Sequence, residues 1–269
     1  MEIYVFLFLA VMMILLYLGW PHHIDIDVYE TESDKVLRGM TFLVLADVHS
    51  RMIGDRQDDL VDLIQAENPD AILIAGDFFD KGDRNPHTVE LLERIKDYPI
   101  YYALGNHERY MEKGLDPWIE KAEELGVHML INSSVSLGNG IELIGLDDMD
   151  YLDEEDDPVE IVNHEKVEDE YAILLSHKPH FKELYEKMNV DLIISGHVHG
   201  GQWCIPFTKI GLYAPGQGIF PKYRRGAYPC GKATLYVSRG LAPMASFVPR
   251  LFNNPSVDRI VVKPSKTNI

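Results

Sequence analysis

Apolar residues are spread along this chain in three patterns. Residues 3–20 form an unbroken apolar run. Short apolar runs then recur at 40–46, 71–75, 100–104, 141–146, 172–175, 192–194, 234–237 and 259–262. Their shortness and their β-branched and aromatic content predict buried strands. Between them the spacing changes. In 56–67, Leu60, Leu63 and Ile64 fall three and four apart, which predicts a helix, and 88–96, 117–125 and 181–188 read the same way. Alternating strands and helices predict an α/β fold with sheets covered by helices. The last strands follow one another without helices, so the expectation is two packed sheets with helices outside. Residues 151–160 hold six acids and read as a solvated loop.

The first run is about 18 residues long, at the short end for crossing a hydrocarbon core of ~30 Å. Trp20 at its end suits the headgroup boundary. A cleaved signal peptide would carry a basic start and a small-residue cleavage site; here Glu2 stands in the first place and no A-x-A pattern follows. Residues 1–20 are therefore expected to be a retained single-pass membrane anchor, 21–39 a tether with a first edge strand, and 40–269 one catalytic domain. The nearest cations to the run, Lys35 and Arg38, favour a cytoplasmic domain.

Charge adds one feature. The chain carries −18, but from Gly200 onward ten Lys and Arg stand against the single acid Asp258, a segment of +9 following 199 residues of −27. Either one face meets an anionic partner, or the two parts neutralise each other across the fold. In the stretch 203–230 the cations Lys209, Lys222, Arg224 and Arg225 alternate with aromatic residues, which suits a membrane surface. Its part 216–231, rich in glycine, proline and aromatics, reads as a loop at the site mouth. A nucleic-acid duplex is a poor partner for so acidic a chain. Cys204 and Cys230 are too few for a disulfide framework, and two free thiols are the default.

The chemistry lies at the strand ends. Five segments place Asp, Asn or His directly after an apolar strand: Asp47-Val48-His49; Asp77 to Asp80; Asn106-His107-Glu108; His177; and His197-Val198-His199. Ligands bind beyond the strand C-termini of α/β sheets, so these residues would converge. Each motif alone is weak evidence; the ordered set is specific. Carboxylate, amide and imidazole donors without thiolate suit Mn, Fe or Zn. Too many donors are present for one tetrahedral centre, whereas two divalent ions sharing a carboxylate would use them all. His22, His23, His87, His128, His164 and His180 lack this context.

This ordered set, D-x-H, G-D-x-x-D, G-N-H-E, H and G-H-x-H, resembles the calcineurin-like metallophosphoesterases from Asp47 to His199. The resemblance implies an α/β four-layer sandwich of two packed mixed β-sheets flanked by helices. It implies that Asp47, His49 and His199 hold one metal, that Asp77 bridges, and that Asn106, His177 and His197 hold the other. His107 would act beside the phosphate as general acid, oriented by Asp80. Protein Ser/Thr phosphatases carry arginine where this chain has Lys81. The motifs at 145–148, 196–202 (GHVHGGQ), Pro206-Phe207 and 238–240 are similar to a membrane-associated phosphodiesterase subgroup related to UDP-diacylglucosamine pyrophosphate hydrolases. The expected function is hydrolysis of a phosphodiester or pyrophosphate bond by a two-metal-activated hydroxide, in a membrane-associated or nucleotide-linked lipid substrate. A soluble nucleotide substrate, or a metal-binding scaffold without turnover, are the alternatives.

Overall fold

The computed structural model describes residues 2–82, 84–208, 210–242, 244–245 and 248–265. Two six-stranded sheets carry the fold. In chain order their strands are β1 (Asp25–Ser33), β2 (Met40–Leu45), β3 (Ala71–Ala75), β4 (Ile100–Ala103), β5 (Val127–Met129), β6 (Ser133–Gly138), β7 (Ile141–Gly145), β8 (Tyr171–Leu175), β9 (Leu192–Ser195), β10 (Gly226–Cys230), β11 (Ala233–Val237) and β12 (Ser256–Pro264). The helices are α1 (Glu2–Gly19), α2 (Asp58–Glu67), α3 (Asn85–Ile95), α4 (Asn106–Arg109), α5 (Asp116–Glu124), α6 (Pro158–Glu165) and α7 (Lys182–Tyr185).

The first sheet has the order β1-β12-β2-β3-β4-β5 and the second β10-β11-β9-β8-β7-β6. Both are mixed. β2 to β5 run parallel, as do β11, β9, β8 and β7, while β12 is antiparallel to β2, and β6 and β10 are antiparallel to their neighbours. The inner faces meet through Phe42, Val44, Leu73, Leu143, Ile173 and Ile194. The outer face of the first sheet packs on helices α2, α3 and α5 through Leu60, Ile64, Leu91, Leu92 and Ala122. The second buries Val162 of α6 and Tyr185 of α7. Burial on both faces explains why β3 and β8 read as continuous apolar runs. The expected helix–sheet–sheet–helix order is the observed one.

The differences from the sequence reading are local. Residues 151–160 are not all loop: Asp157 accepts a hydrogen bond from Val159 N at 2.8 Å and starts α6, with Pro158 at its first position. The segment 216–231 is not all loop either, because it contains β10, paired with β11 at the edge of the second sheet. The helix expected over 181–188 is only α7, preceded by the 3-10 turn Pro179–Phe181.

Three arginines of the cationic C-terminal segment are buried inside the molecule. Arg224, 4% exposed, donates to Gly200 O at 3.0 Å; Arg239 pairs with Asp25 and Asp27 at 2.9 and 2.8 Å; Arg250 is fully buried. Lys263 pairs with Glu30, and Arg259 with Glu67. Part of the charge asymmetry is thus neutralised across the fold, by the pairs of Arg239, Arg259 and Lys263 with acids of the preceding part of the chain. Lys222 and Arg225 are exposed, while Lys209 and Lys266 lie outside the described residues.

One helix among the described residues, α1, is long and apolar enough to cross a membrane, with mean hydropathy 2.3 and 6% of it buried.

Candidate metal centre

The parallel strands of both sheets end at one place. Asp47 and His49 follow β2, Asp77 follows β3, and Asn106 opens α4 after β4; His177 follows β8, and His197 and His199 follow β9. All seven are buried. Three groups bring donor atoms within 4.8 Å of one another: Asp47 with His49 and His199; His49 with Asp77 and His107; and Asp77 with His177 and His197. His199 Nε2 lies 3.7 Å from Asp47 Oδ1, and His49 Nε2 lies 3.8 Å from Asp77 Oδ2. Asp77 belongs to two groups and reaches His49 on one side and His177 on the other. Six of the seven sequence-predicted donors are thus brought within reach of one another, three from the first sheet and three from the second, and Asn106 opens α4 directly before His107 of the same cluster.

The backbone is bent to do this. Asp47, His49, Asp77, His197 and His199 all have left-handed φ between 45° and 72°. Such conformations cost ~1–3 kcal/mol each in a non-glycine residue and persist only where surrounding contacts enforce them. Glu108 supplies several of those contacts. Its buried carboxylate accepts from the backbone N of Asp77, Phe78, Phe79 and Gly105 at 3.0, 2.6, 2.9 and 2.9 Å, and from the Tyr102 hydroxyl. Asp47 is held similarly: both its oxygens accept from His197 N at 3.0 Å. Gly240, at φ +69°, lies against Asp47 so closely that a Cβ would overlap the carboxylate. Arg250 donates to the carbonyls of His199, Arg239, Gly240 and Ala242, and Asn253 donates to His199 O at 2.8 Å.

The donor set fits divalent ions. His177 Nδ1 hydrogen-bonds the Ala75 carbonyl at 2.8 Å, which turns Nε2 inward. That Nε2 faces Asp77 Oδ2 at 3.0 Å, and Asn106 Oδ1 is buried without a hydrogen-bond partner, the condition of an atom that needs a cation. Burial holds His49 down at about 4 and His197 and His199 well below the usual imidazole value, so these rings are neutral as metal ligation requires. Burial pushes Asp47 up to about 7, against the pull of His177 and with the charge of Asp77 added. The residue groups, two of which share Asp77, suit a dinuclear divalent metal site.

His107 differs from its neighbours. Its side chain is 36% exposed, and Nδ1 lies 2.8 Å from Asp80 Oδ1. Burial opposes its charge, but the Asp80 hydrogen bond and the charges of Asp77 and Asp80 outweigh it and hold the imidazole up at about 9.

The sequence reading left out several residues at this site. His180, read as lacking context, has its ring 5.7 Å from that of His197. Lys178, buried beside His177, bonds Asp148 at 2.7 Å, and Arg109 bonds Asp147 at 2.8 Å. The 145–148 motif thus receives the two cations that flank the GNHE and His177 segments. Spacing along the chain carried no sign of His180. The acids at 147 and 148 were visible, but their partners were not.

Comparison with known proteins agrees with this geometry. The sequence profile described as calcineurin-like phosphoesterase matches residues 40–201. An uncharacterized metallophosphoesterase of Campylobacter jejuni is 30% identical over 78% of this chain and 56% of its own length. The uncharacterized Bacillus subtilis protein YpbG is 30% identical over 73% of this chain and 74% of its own. A zebrafish transmembrane protein with metallophosphoesterase domain is 28% identical over 68% of this chain and 45% of its own. The chain spans little more than half the length of the first curated relatives it matches. Among solved structures, the Haemophilus influenzae NAD nucleotidase aligns with TM-score 0.52 at 17% identity, over 75% of this chain and 45% of that one; the likeness is one of fold. On the strength of the matched profile, this chain belongs to the calcineurin-like phosphoesterase family.

Proposed function

We propose that the 40–269 domain is a dinuclear metal-dependent hydrolase of phosphodiester or pyrophosphate bonds, anchored by residues 1–20 through the strand-bearing tether 21–39. The observation that carries this is the cross-sheet cluster of buried carboxylates and imidazoles in which Asp77 belongs to two overlapping groups of donors. Asp47, His49 and His199 would hold one ion, Asn106, His177 and His197 the other, and Asp77 would serve both. Two ions of Mn, Fe or Zn held there supply Lewis-acid charge to a phosphoryl group and acidify water at neutral pH. The chain's own residues do the rest. His107, charged at neutral pH, offers the Nε2 proton to the leaving oxygen, since Nδ1 is engaged by Asp80. A scaffold without turnover would have no use for that pair.

The substrate class is an amphiphilic phosphate ester, lipid-linked, met at the membrane that α1 enters. Lys35, one of the two cations that favour a cytoplasmic domain, is bonded to Asp191, so the orientation argument rests on Arg38. The test is metal analysis and hydrolysis of bis(p-nitrophenyl) phosphate by the purified full chain. About two ions per chain, loss of activity with chelator and recovery with Mn are expected. Asp77→Asn should be the most damaging single change. A stoichiometry near zero, or turnover that ignores chelation, overturns the reading. A nucleoside monophosphate hydrolysed faster than any diester would move the substrate to soluble nucleotides.

A further inference from the structure

Pro206-Phe207 stood out in the sequence, and the metal centre gives it no role. Phe207 is fully exposed, and it is not alone: Ile219 and Phe220 are 74% and 63% exposed, and Ile205, Ile210 and Tyr213 are also open to solvent. Phe220 and Ile219 sit at the end of the short ribbon in which Tyr213–Ala214 pairs with Gly218–Ile219. Exposed apolar side chains of this size in one stretch of chain mark an interaction surface.

Two contacts fix where this surface lies. Toward the N-terminus, Phe252 packs on Gly19 at the end of α1, and its backbone N donates to Gly19 O at 2.6 Å. Phe252 also lines one cavity together with Ile205, Pro206, Phe207 and Arg225. Toward the site, Gly216 in the ribbon's turn lies against the ring of His180, which lies 5.7 Å from His197. The apolar ridge therefore runs from the end of the membrane helix to the edge of the metal centre. Arg225 and Lys222 stand exposed beside it, and such cations favour anionic headgroups.

We propose that this ridge inserts into the membrane interface, with Phe207, Ile219 and Phe220 in the acyl–headgroup boundary, and that the metal centre opens toward the bilayer surface. The occupant is lipid because the ridge is continuous with α1, which brings a bilayer to within contact of Phe252. The insertion itself is independent of catalysis. Its consequence for substrate, presentation of a lipid phosphate ester in the plane of the bilayer, rests on the hydrolase reading above. Arg224 takes no part in the docking, being buried on Gly200.

The experiment uses the full chain in vesicles of phosphatidylcholine and phosphatidylglycerol. Phe207→Cys, Phe220→Cys and Val167→Cys are each labelled with an NBD fluorophore, the unsubstituted chain with its buried Cys204 and Cys230 serving as background. Val167 is an exposed control just before β8, at the opposite strand ends from the site. Doxyl-labelled lipid should quench the 207 and 220 probes several-fold more than the 167 probe. Equal quenching at all three, or none at 207 and 220, overturns insertion. A concentration-dependent shift of the 207 probe in detergent that doxyl lipid leaves unquenched would assign the ridge to a second copy of the chain, and also overturns it. With Phe207→Ser and Phe220→Ser combined, hydrolysis of bis(p-nitrophenyl) phosphate should be unchanged. Turnover of hexadecyl p-nitrophenyl phosphate in the vesicles should fall several-fold. Equal loss of both activities overturns the substrate consequence. A chain that quenches as expected but hydrolyses neither ester would sink the hydrolase reading while leaving the insertion standing.

Discussion

Single residues carry roles here that neighbouring ligands could mask, and three substitutions separate them. His107→Asn should retain both ions while kcat for a diester falls by roughly 10²–10⁴, less for esters with good leaving groups. Metal content measured beside the rate decides it, because a collapse of metal would make His107 a ligand, as its grouping with His49 and Asp77 allows. Gly240→Ala tests a backbone requirement instead. A methyl there must displace the Asp47 carboxylate, so the ion held by Asp47, His49 and His199 should be lost with the fold intact. Normal affinity at both sites would show that the loop yields. Glu108→Gln keeps the shape and removes the charge. Its carboxylate collects four backbone N–H groups and a phenol, while an amide must turn an NH₂ toward one of them. A loss of about 2–4 kcal/mol in denaturant unfolding is expected. The clustering of Asp47, His49, Asp77, His107, His177, His197 and His199 was legible because such residue types are chemically unusual beside strand ends. The left-handed φ of Asp47, His49, Asp77, His197 and His199 was not, since Asp and His tolerate that region better than most residues but still adopt it only rarely.

Elements were legible in proportion to how fully they are buried. β2, β3, β8 and β9 are covered on both faces, so a continuous apolar run marked them. β6 (SSVSLG) and β10 (GAYPC) lie at sheet edges, where half-exposed residues and a proline are tolerated, and neither showed as a strand. α6 was hidden by acids that belong to its cap and first turn. β12 was read as a short strand over 259–262, yet it spans nine residues, because its polar residues are paired inside the sheet. Asp258 is the clearest case. It accepts from Tyr236 at 3.0 Å and from Ser238, and burial pushes it up to about 7. Folded Asp258 thus keeps its proton to about pH 7, whereas the unfolded chain releases it near 3.8. Stability from this group is therefore present below 3.8 and falls as pH rises, by at most about 1.4 kcal/mol per unit, until the folded carboxyl also ionises. Asp258→Asn should remove that slope, so the variant's melting temperature gains on the parent between pH 4 and 7. A constant difference across that window would refute the assignment.

At the scale of the whole molecule, the metal centre is a seam. Each proposed ion takes donors from both sheets: Asp47 and His49 against His199, Asp77 and Asn106 against His177 and His197. Ions bound there join the two sheets at their open ends, so removing them should loosen the fold and not only the chemistry. Saturation at 100 times Kd contributes about 2.7 kcal/mol per site to the folded state. The melting temperature should rise with Mn and fall with chelator, and the seven-donor assignment fails if neither moves it. The same scale holds a feature that no local pattern could show: β1, just after α1, pairs in parallel with β12, which then separates it from β2. During synthesis the helix and β1 leave the ribosome first, but the strand that must lie between β1 and β2 leaves last. At ordinary elongation rates the first sheet stays incomplete for roughly 10–50 s. Throughout that interval β1 and β2 each present an unpaired edge. Nascent chains halted before residue 256 should therefore remain protease-sensitive and bound by chaperones, however well their first two hundred residues are patterned.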